Sequence, residues 1–386
     1  MAHPADREFI TRTLQELVRI PSINPAFDPA SPGEGPIARH LSGVLAGLGM
    51  ETRLIGPAAR PSVLGRLPGT GPGPSLLLYG HIDTVGVEEM ADPFGAAVRE
   101  GRLYGRGSYD MKGGLAACIG ALHLLRREGI ELPGELAIVG VADEEVASEG
   151  MAQVLAEYRP DAAIVTEATH LRLCTAHKGF CWIAVETRGR AAHGSRFNEG
   201  IDANMRMGRF LARLDRLEQD LRGSRPHPLL GPPSLHAAVL KGGTGTSTYA
   251  AHCRLEIERR TLPGQTEAEL VSEIEAILAG LRAEDPTFQG EAKAFLTRPP
   301  FEAPEKSRVA GAVAAAAREE LGRDVEVIGE PYWMDAALLA AEGVDTVVIG
   351  PTGAGAHAAE EWVELDSVVT LAGILAGAAR RYWNAG

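Results

Sequence analysis

An uninterrupted apolar run, Leu76-Leu77-Leu78-Tyr79-Gly80, ends at His81-Ile82-Asp83. Such a run reads as a buried strand. Positions two apart in extended chain face the same way, so His81 and Asp83 can point together from the strand's end. Two further runs repeat the pattern: Glu135 to Ala142 stops at Asp143-Glu144-Glu145, and Asp161 to Thr166 stops at Glu167. Helical stretches, at about 111–127 and 150–157, lie between them. Strands alternating with helices in this way build an open α/β sheet, whose ligands bind at the carboxyl ends of the strands. Histidine and carboxylate side chains delivered to that crevice are the usual ligands of zinc-type ions.

At 386 residues the chain is too long for one ordinary core and suits two domains. Its 45% hydrophobic and 23% charged residues are those of a soluble globular protein. The 38 basic and 51 acidic residues give a formal net charge of −13, which argues against nucleic acid or an anionic membrane as partner. Cys118, Cys174, Cys181 and Cys253 form no CxxC pair, so neither a redox couple nor a cysteine zinc finger is indicated. The polar start, residues 1–8, lacks the apolar core of a signal peptide, and no apolar run reaches the roughly 18 residues of a membrane helix. A cytoplasmic protein acting on a small molecule is the expectation.

Before the opening strand, apolar positions at Phe9, Ile10, Leu14, Leu17 and Val18 mark a helix over 6–19, which Pro21 to Pro25 ends. A second helix closes at about Leu48, and a short strand covers 63–67. Residues 92–109 read as irregular. Asp110 stands in the loop entering the next helix, where it could be no more than an N-cap. From Phe180 the pattern changes. Strand 180–187, helix 200–221, strands 234–240 and 250–259, helix 266–282 and strand 288–296 follow in β-α-β-β-α-β order, the signature of a small two-layer α/β domain. The first architecture resumes after Pro299-Pro300, with helices at about 306–321, 333–342 and 366–381 and strands at about 324–328 and 345–349. The expectation is therefore an α/β catalytic domain (1–179 and 297–386) with a central mixed, mostly parallel sheet flanked by helices. It is interrupted by a ferredoxin-like lid and dimerisation domain (180–296).

Strand ends and loops contribute His81, Asp83, Asp110, Glu144, Glu145, Glu167 and His357. Two histidines and several carboxylates suit two ions better than one, because two ions can share a bridging carboxylate. No HExxH is present, which excludes a thermolysin-type site. Spacing alone does not separate Glu144 from Glu145, nor decide whether Asp83 is a direct ligand. The segments GHIDTV (80–85), LYGRGSYDMKGG (103–114), ADEE (142–145), TEAT (166–169), GRAAHGS (189–195), ERRTLPG (258–264), MDAALL (334–339) and GPTGAGAHAAEEW (350–362) are similar, in order and over nearly the whole chain, to those of the M20 dizinc metallopeptidases and amidohydrolases. The branch of acetylornithine deacetylase and succinyl-diaminopimelate desuccinylase looks nearest.

The resemblance implies specific roles. His81, Asp110 and Glu167 would bind one Zn²⁺, and Asp110, Glu145 and His357 the other, with Co²⁺ or Mn²⁺ as possible substitutes. Glu144 would be the general base, and Asp83 would orient His81 by a hydrogen bond. His193 would stabilise the oxyanion from the inserted domain of a neighbouring subunit in a homodimer. Arg260 would hold a substrate carboxylate, with Arg259 as its competitor on the opposite strand face. Asn204 and the loop at Gly353 and Gly355 would line the substrate, the glycines admitting close backbone approach. Phe197 and Thr352 depart from the common family pattern on the substrate side. The activity implied is removal of an acyl group from an N-acyl-L-amino acid. A carboxypeptidase or dipeptidase reaction at the same site is the runner-up, and a non-catalytic binding protein would require a lost ligand or base.

Overall fold

The computed structural model describes residues 4–87 and 89–384. The chain divides into two compact units. The first comprises Met1–Thr175, Ala303–Ile328 and Met334–Gly386, and the second comprises Ala176–Glu302 with Gly329–Trp333.

The first unit is built on a sheet whose strands include, in order, Glu51–Ile55, Ser62–Leu67, Gly134–Val141, Gly73–His81, Ala162–Val165, Asp345–Val348 and Leu173–His177. Gly134–Val141, Gly73–His81, Ala162–Val165 and Asp345–Val348 pair in parallel, with Leu78 opposite Ile138 on one side and Ile164 on the other. Glu51–Ile55 pairs Ser62–Leu67, Ser62–Leu67 pairs Gly134–Val141 and Asp345–Val348 pairs Leu173–His177 antiparallel, so the parallel pairs lie at the centre. Leu76 to Tyr79 are completely buried, as are Leu136 to Val139 and Ala162 to Val165. Strands covered on both faces have no polar side to alternate with, which is why they read as continuous apolar runs. Helices Pro4–Arg19, Gly113–Arg127, Arg308–Leu321 and Leu365–Asn384 share one core with this sheet. Gly114 lets Gly113–Arg127 approach closely, since a Cβ there would meet the Thr166 carbonyl oxygen at 2.1 Å.

Residues 92–109 are less irregular than their sequence suggests. Val98–Arg99 and Arg102–Tyr104 join Trp362–Glu364 and Gly353–Ala354 in a small antiparallel sheet. The helix at 333–342 shrinks to Ala336–Ala341, and the strand at 324–328 becomes Val327–Glu330.

The second unit has the β-α-β-β-α-β order. Its antiparallel sheet runs Ser234–Gly242, His252–Thr261, Gly179–Arg188, Gln289–Arg298. Helices Ala203–Arg222 and Glu267–Glu284 share a separate core with it. Asp202 caps the first helix by accepting from the backbone of Asn204 and Met205, and Thr266 and Glu269 form a capping box on the second. Among the described residues, no helix is long and apolar enough to cross a membrane.

Candidate metal centre

The carboxyl ends of the central strands carry the site. His81 is the last residue of its strand and is 1% exposed. Its Nε2 lies 3.1 Å from Asp110 Oδ1 and 3.6 Å from Glu167 Oε1. The other Asp110 oxygen, Oδ2, lies 3.3 Å from His357 Nε2, which is also 3.1 Å from Glu145 Oε2. The two oxygens of one carboxylate thus face different imidazoles. Ligand-capable atoms of His81, Glu144 and Glu167 fall within 4.8 Å of one another, as do those of His81, Asp110 and Glu145. Glu144 is therefore within ligand distance. It differs from the others in making no ion pair with either imidazole, whose carboxylate partners are Asp83, Asp110, Glu145 and Glu167.

Asp110 is no N-cap. The helix begins at Gly113, and the Asp110 backbone has φ −117° and ψ 94°, with a cis peptide to Met111. Four acceptor contacts on Glu361 hold the turn before it. Glu361 Oε1 accepts from the backbone N–H of Tyr109 and Asp110 at 2.9 and 3.0 Å, and Oε2 accepts from Gly107 N–H at 3.0 Å and Arg106 Nη1 at 2.7 Å.

Asp83 faces His81 through its main chain and, more distantly, through its carboxylate. The hydrogen-bond partner of His81 Nδ1 is the Asp83 main-chain carbonyl at 3.0 Å, while the nearer carboxylate oxygen is 3.5 Å away. The carboxylate also accepts from the backbone N–H of Glu144 and Glu145 and from Asn24 Nδ2. Asn24 also donates to Asp143, whose carboxylate is reached by Arg60, and Arg60 is paired with the buried Glu34. This relay fixes the turn that carries Glu144 and Glu145.

The electrostatics report a surplus of buried negative charge. Burial pushes Glu144 well above the usual carboxylate range and raises Glu145, and it lifts Glu167 to about 8. Burial opposes charging His81, but the Asp110 and Asp83 carboxylates outweigh it and raise the imidazole well above its ordinary value. Asp110 and Glu145 lift His357 to about 10. Burial would raise Asp110 too, but the two imidazoles hold it well below the ordinary aspartate value. A cation bound among these carboxylates would oppose the same surplus of negative charge, which is how such a donor set couples to metal.

Residues 77–381 match the profile of Peptidase family M20/M25/M40. The chain belongs to this family. Its relatives include acetylornithine deacetylase of Myxococcus xanthus, 30% identical over 81% of this chain and 82% of the relative. N-formyl-4-amino-5-aminomethyl-2-methylpyrimidine deformylase of Halalkalibacterium halodurans is 29% identical over 76% of each. Among solved structures, a Bacillus subtilis protein described as a dinuclear metal-binding peptidase from the M20 family aligns with a TM-score of 0.77 and 17% identity, covering 99% of both chains. A Staphylococcus aureus tripeptidase aligns with a TM-score of 0.79 and 18% identity, covering 98% of this chain and 99% of that one. The M20 fold is thus common to proteins named for different substrates.

His193, Asn204 and Arg260 lie in the second unit. His193 is exposed, with Nδ1 2.8 Å from Ser195 Oγ. Asn204 is exposed at the start of Ala203–Arg222, beside Gly242. Arg260 lies over the Phe180 ring at 5.3 Å and is paired with Glu258 at 2.6 Å. Arg259 is 1% exposed, its guanidinium tied to Glu273 and the Arg260 carbonyl, so only Arg260 is on the open face. Gly353 and Gly355 pack closely against the protein's own turn. A Cβ on Gly353 would meet the Trp362 carbonyl oxygen at 2.4 Å and the Tyr109 ring at 2.5 Å, and one on Gly355 (φ +85°) would meet the Glu360 carbonyl oxygen at 1.9 Å. The space these glycines free is filled by the protein's own turn.

Asn24, Asp143, Arg106 and Glu361 escaped the sequence reading. Asp143 had a signal: three consecutive acids after a buried strand cannot all face one site. Glu361 stood inside the segment GPTGAGAHAAEEW without a role, because its backbone partners lie 251 to 254 residues away.

Proposed function

We propose that this protein is a zinc-dependent amide hydrolase that removes an acyl group from an N-acyl-L-amino acid. The observation that supports a metal pair is the placement of the two Asp110 oxygens, each against a different imidazole. In this reading His81, Asp110 and Glu167 hold one ion, and Asp110, Glu145 and His357 the other. Bound Zn²⁺ supplies Lewis acidity and brings the pKa of a water towards neutrality. Glu144 accepts the proton of the attacking water and passes it to the leaving amine, a dual role suited to a carboxylate whose proton affinity burial has raised. Asp83 keeps the Glu144 turn in place. His193 donates to the developing oxyanion. Arg260 exchanges Glu258 for the substrate carboxylate, with Asn204 beside the substrate. The active assembly is a homodimer formed through the second unit.

Support for deacylation comes from the sequence relatives, whose names describe removal of an acetyl or a formyl group from an amine. A peptidase reaction is the second reading, favoured by the tripeptidase fold likeness. The deciding experiment measures kcat/KM on a panel of N-acetyl amino acids including N-acetylornithine, an N-formyl amine, dipeptides and tripeptides. Highest efficiency on an N-acyl amino acid supports the proposal. A dominant dipeptide or tripeptide rate overturns it in favour of the second reading.

A further inference from the structure

A carboxylate taken fully out of water must be surrounded by donors. The Glu361 side chain is 0% exposed, and its four donors all come from the single turn Arg106 to Asp110. The Glu361 main chain joins the same turn, its carbonyl accepting from Gly105 N–H at 3.1 Å. Arg106 completes the link. It is 3% exposed, and while Nη1 binds Glu361, Nη2 donates to the Ala358 carbonyl at 3.0 Å and Nε to the Gly86 carbonyl at 2.9 Å. Ala358 follows His357 directly. One buried ion pair therefore spans the turn that presents Asp110 and the turn that presents His357. The turn around Arg106 has little freedom to adjust: Gly107 has φ +80°, and a Cβ there would lie 2.8 Å from Thr84 Cγ2.

We infer that Glu361 is a positioning residue that sets the placement of Asp110 against His357, and with it the cation affinity of the Asp110–Glu145–His357 set. The inference rests on the metal reading above. Glu361 touches no ligand atom itself. It acts by fixing the Asp110 backbone N–H, and through Arg106 the backbone beside His357.

The test titrates metal-stripped, full-length protein with Zn²⁺ alone, by calorimetry, and records the visible absorption of the Co²⁺-loaded form. Glu361→Gln keeps the side-chain shape but turns an NH₂ group towards N–H donors. In the folded variant one of the two binding steps weakens about 10- to 100-fold, the range for partners that orient metal ligands. The step His357→Ala abolishes weakens more than the other, because Glu361 reaches that side through both Asp110 and the Arg106–Ala358 link, and the Co²⁺ spectrum shifts. Folded Glu361→Gln with both steps unchanged, or both weakened equally, overturns the inference. If that variant does not fold, Arg106→Lys decides, because it keeps the charge and removes the reach to Ala358. The same selective weakening supports the inference, and wild-type titration overturns it. Wild-type protein that takes up no Zn²⁺ defeats the metal reading itself, whereas two wild-type steps untouched by these variants defeat only the role of Glu361.

Discussion

His81 and Asp83 meet through the main chain: the imidazole Nδ1 is 3.0 Å from the Asp83 carbonyl oxygen, while the Asp83 carboxylate is turned to the backbone N–H groups of Glu144 and Glu145. The orientation of His81 therefore rests first on the Asp83 main chain, with the carboxylate 3.5 Å away as the weaker contact. Asp83→Asn should leave Zn²⁺ uptake on the His81 side intact and lower kcat, because its amide places a donor against backbone donors and loosens the Glu144 turn. The loss of one buried hydrogen bond sets the scale at about 1–3 kcal/mol, roughly a 5- to 150-fold fall in turnover. Metal stoichiometry and steady-state kinetics on the same preparation separate the two effects. Loss of metal with unchanged kcat per metal-loaded site would place the carboxylate on His81 after all.

Glu144 is near His81 and Glu167 yet ion-paired with neither histidine. Replacing it with Gln removes the proton acceptor and preserves the volume. Turnover should fall by about 10²- to 10⁴-fold, the usual contribution of a positioned acid–base group, with two metal equivalents retained. Metal content and kcat check this together. Full turnover with two ions bound would refute the base assignment, and loss of an ion would make Glu144 a ligand.

Asp110 presents one oxygen to each imidazole, so its removal should affect both cation positions. Asp110→Ala should retain at most one metal equivalent after exhaustive dialysis, whereas Glu167→Ala and Glu145→Ala should each weaken a single position. Elemental analysis of the three variants distinguishes a shared ligand from a private one. Two equivalents firmly held by Asp110→Ala would exclude bridging.

The central strands could be read from the sequence because the same physics writes both. Burial on two faces leaves Leu76 to Tyr79, Leu136 to Val139 and Ala162 to Val165 with no polar alternation. Their ends were legible too, since an apolar run stopping at His81, at Glu144-Glu145 or at Glu167 breaks pattern abruptly. Glu51–Ile55 gave no such signal: it is a largely exposed margin strand with Thr52 and Arg53 inside it. The small sheet that holds Gly353–Ala354 beside Trp362–Glu364 is made of two- and three-residue strands, too short for any period to show. The groups that orient the ligands were hidden for a different reason. Asn24 reaches Asp83 across 59 residues and Asp143 across 119, and such partnerships exist only once the chain has folded.

Arg60 and Glu34 test whether the relay behind Asp83 is held by charge. The Glu34 side chain is 0% exposed and Arg60 about 30%, with Nε and Nη2 both on the carboxylate. Arg60→Ala strands a buried carboxylate. The cost should lie at the low end of the roughly 3–5 kcal/mol for breaking a buried pair, because Arg60 is partly solvated. Denaturant midpoints measure it. Glu34→Gln in the Arg60→Ala background should recover part of the loss, since the stranded charge is gone. A double variant no more stable than Arg60→Ala would mean that packing, not charge, carries the relay.

His193 is exposed in the second unit, and its Nδ1 is engaged with Ser195, leaving Nε2 to act on a substrate. If that action occurs in the active site of a partner subunit, two inactive proteins should complement each other. A His193→Ala subunit retains Glu144, and a Glu144→Ala subunit retains His193. In a heterodimer one of the two sites then combines intact Glu144 with intact His193, and the other lacks both. Separately each variant should show a large kcat deficit, and verified heterodimers should regain about half the wild-type rate per dimer, the share of one restored site in two. Heterodimers no more active than the parent variants would place His193 in its own subunit's site, or outside the reaction.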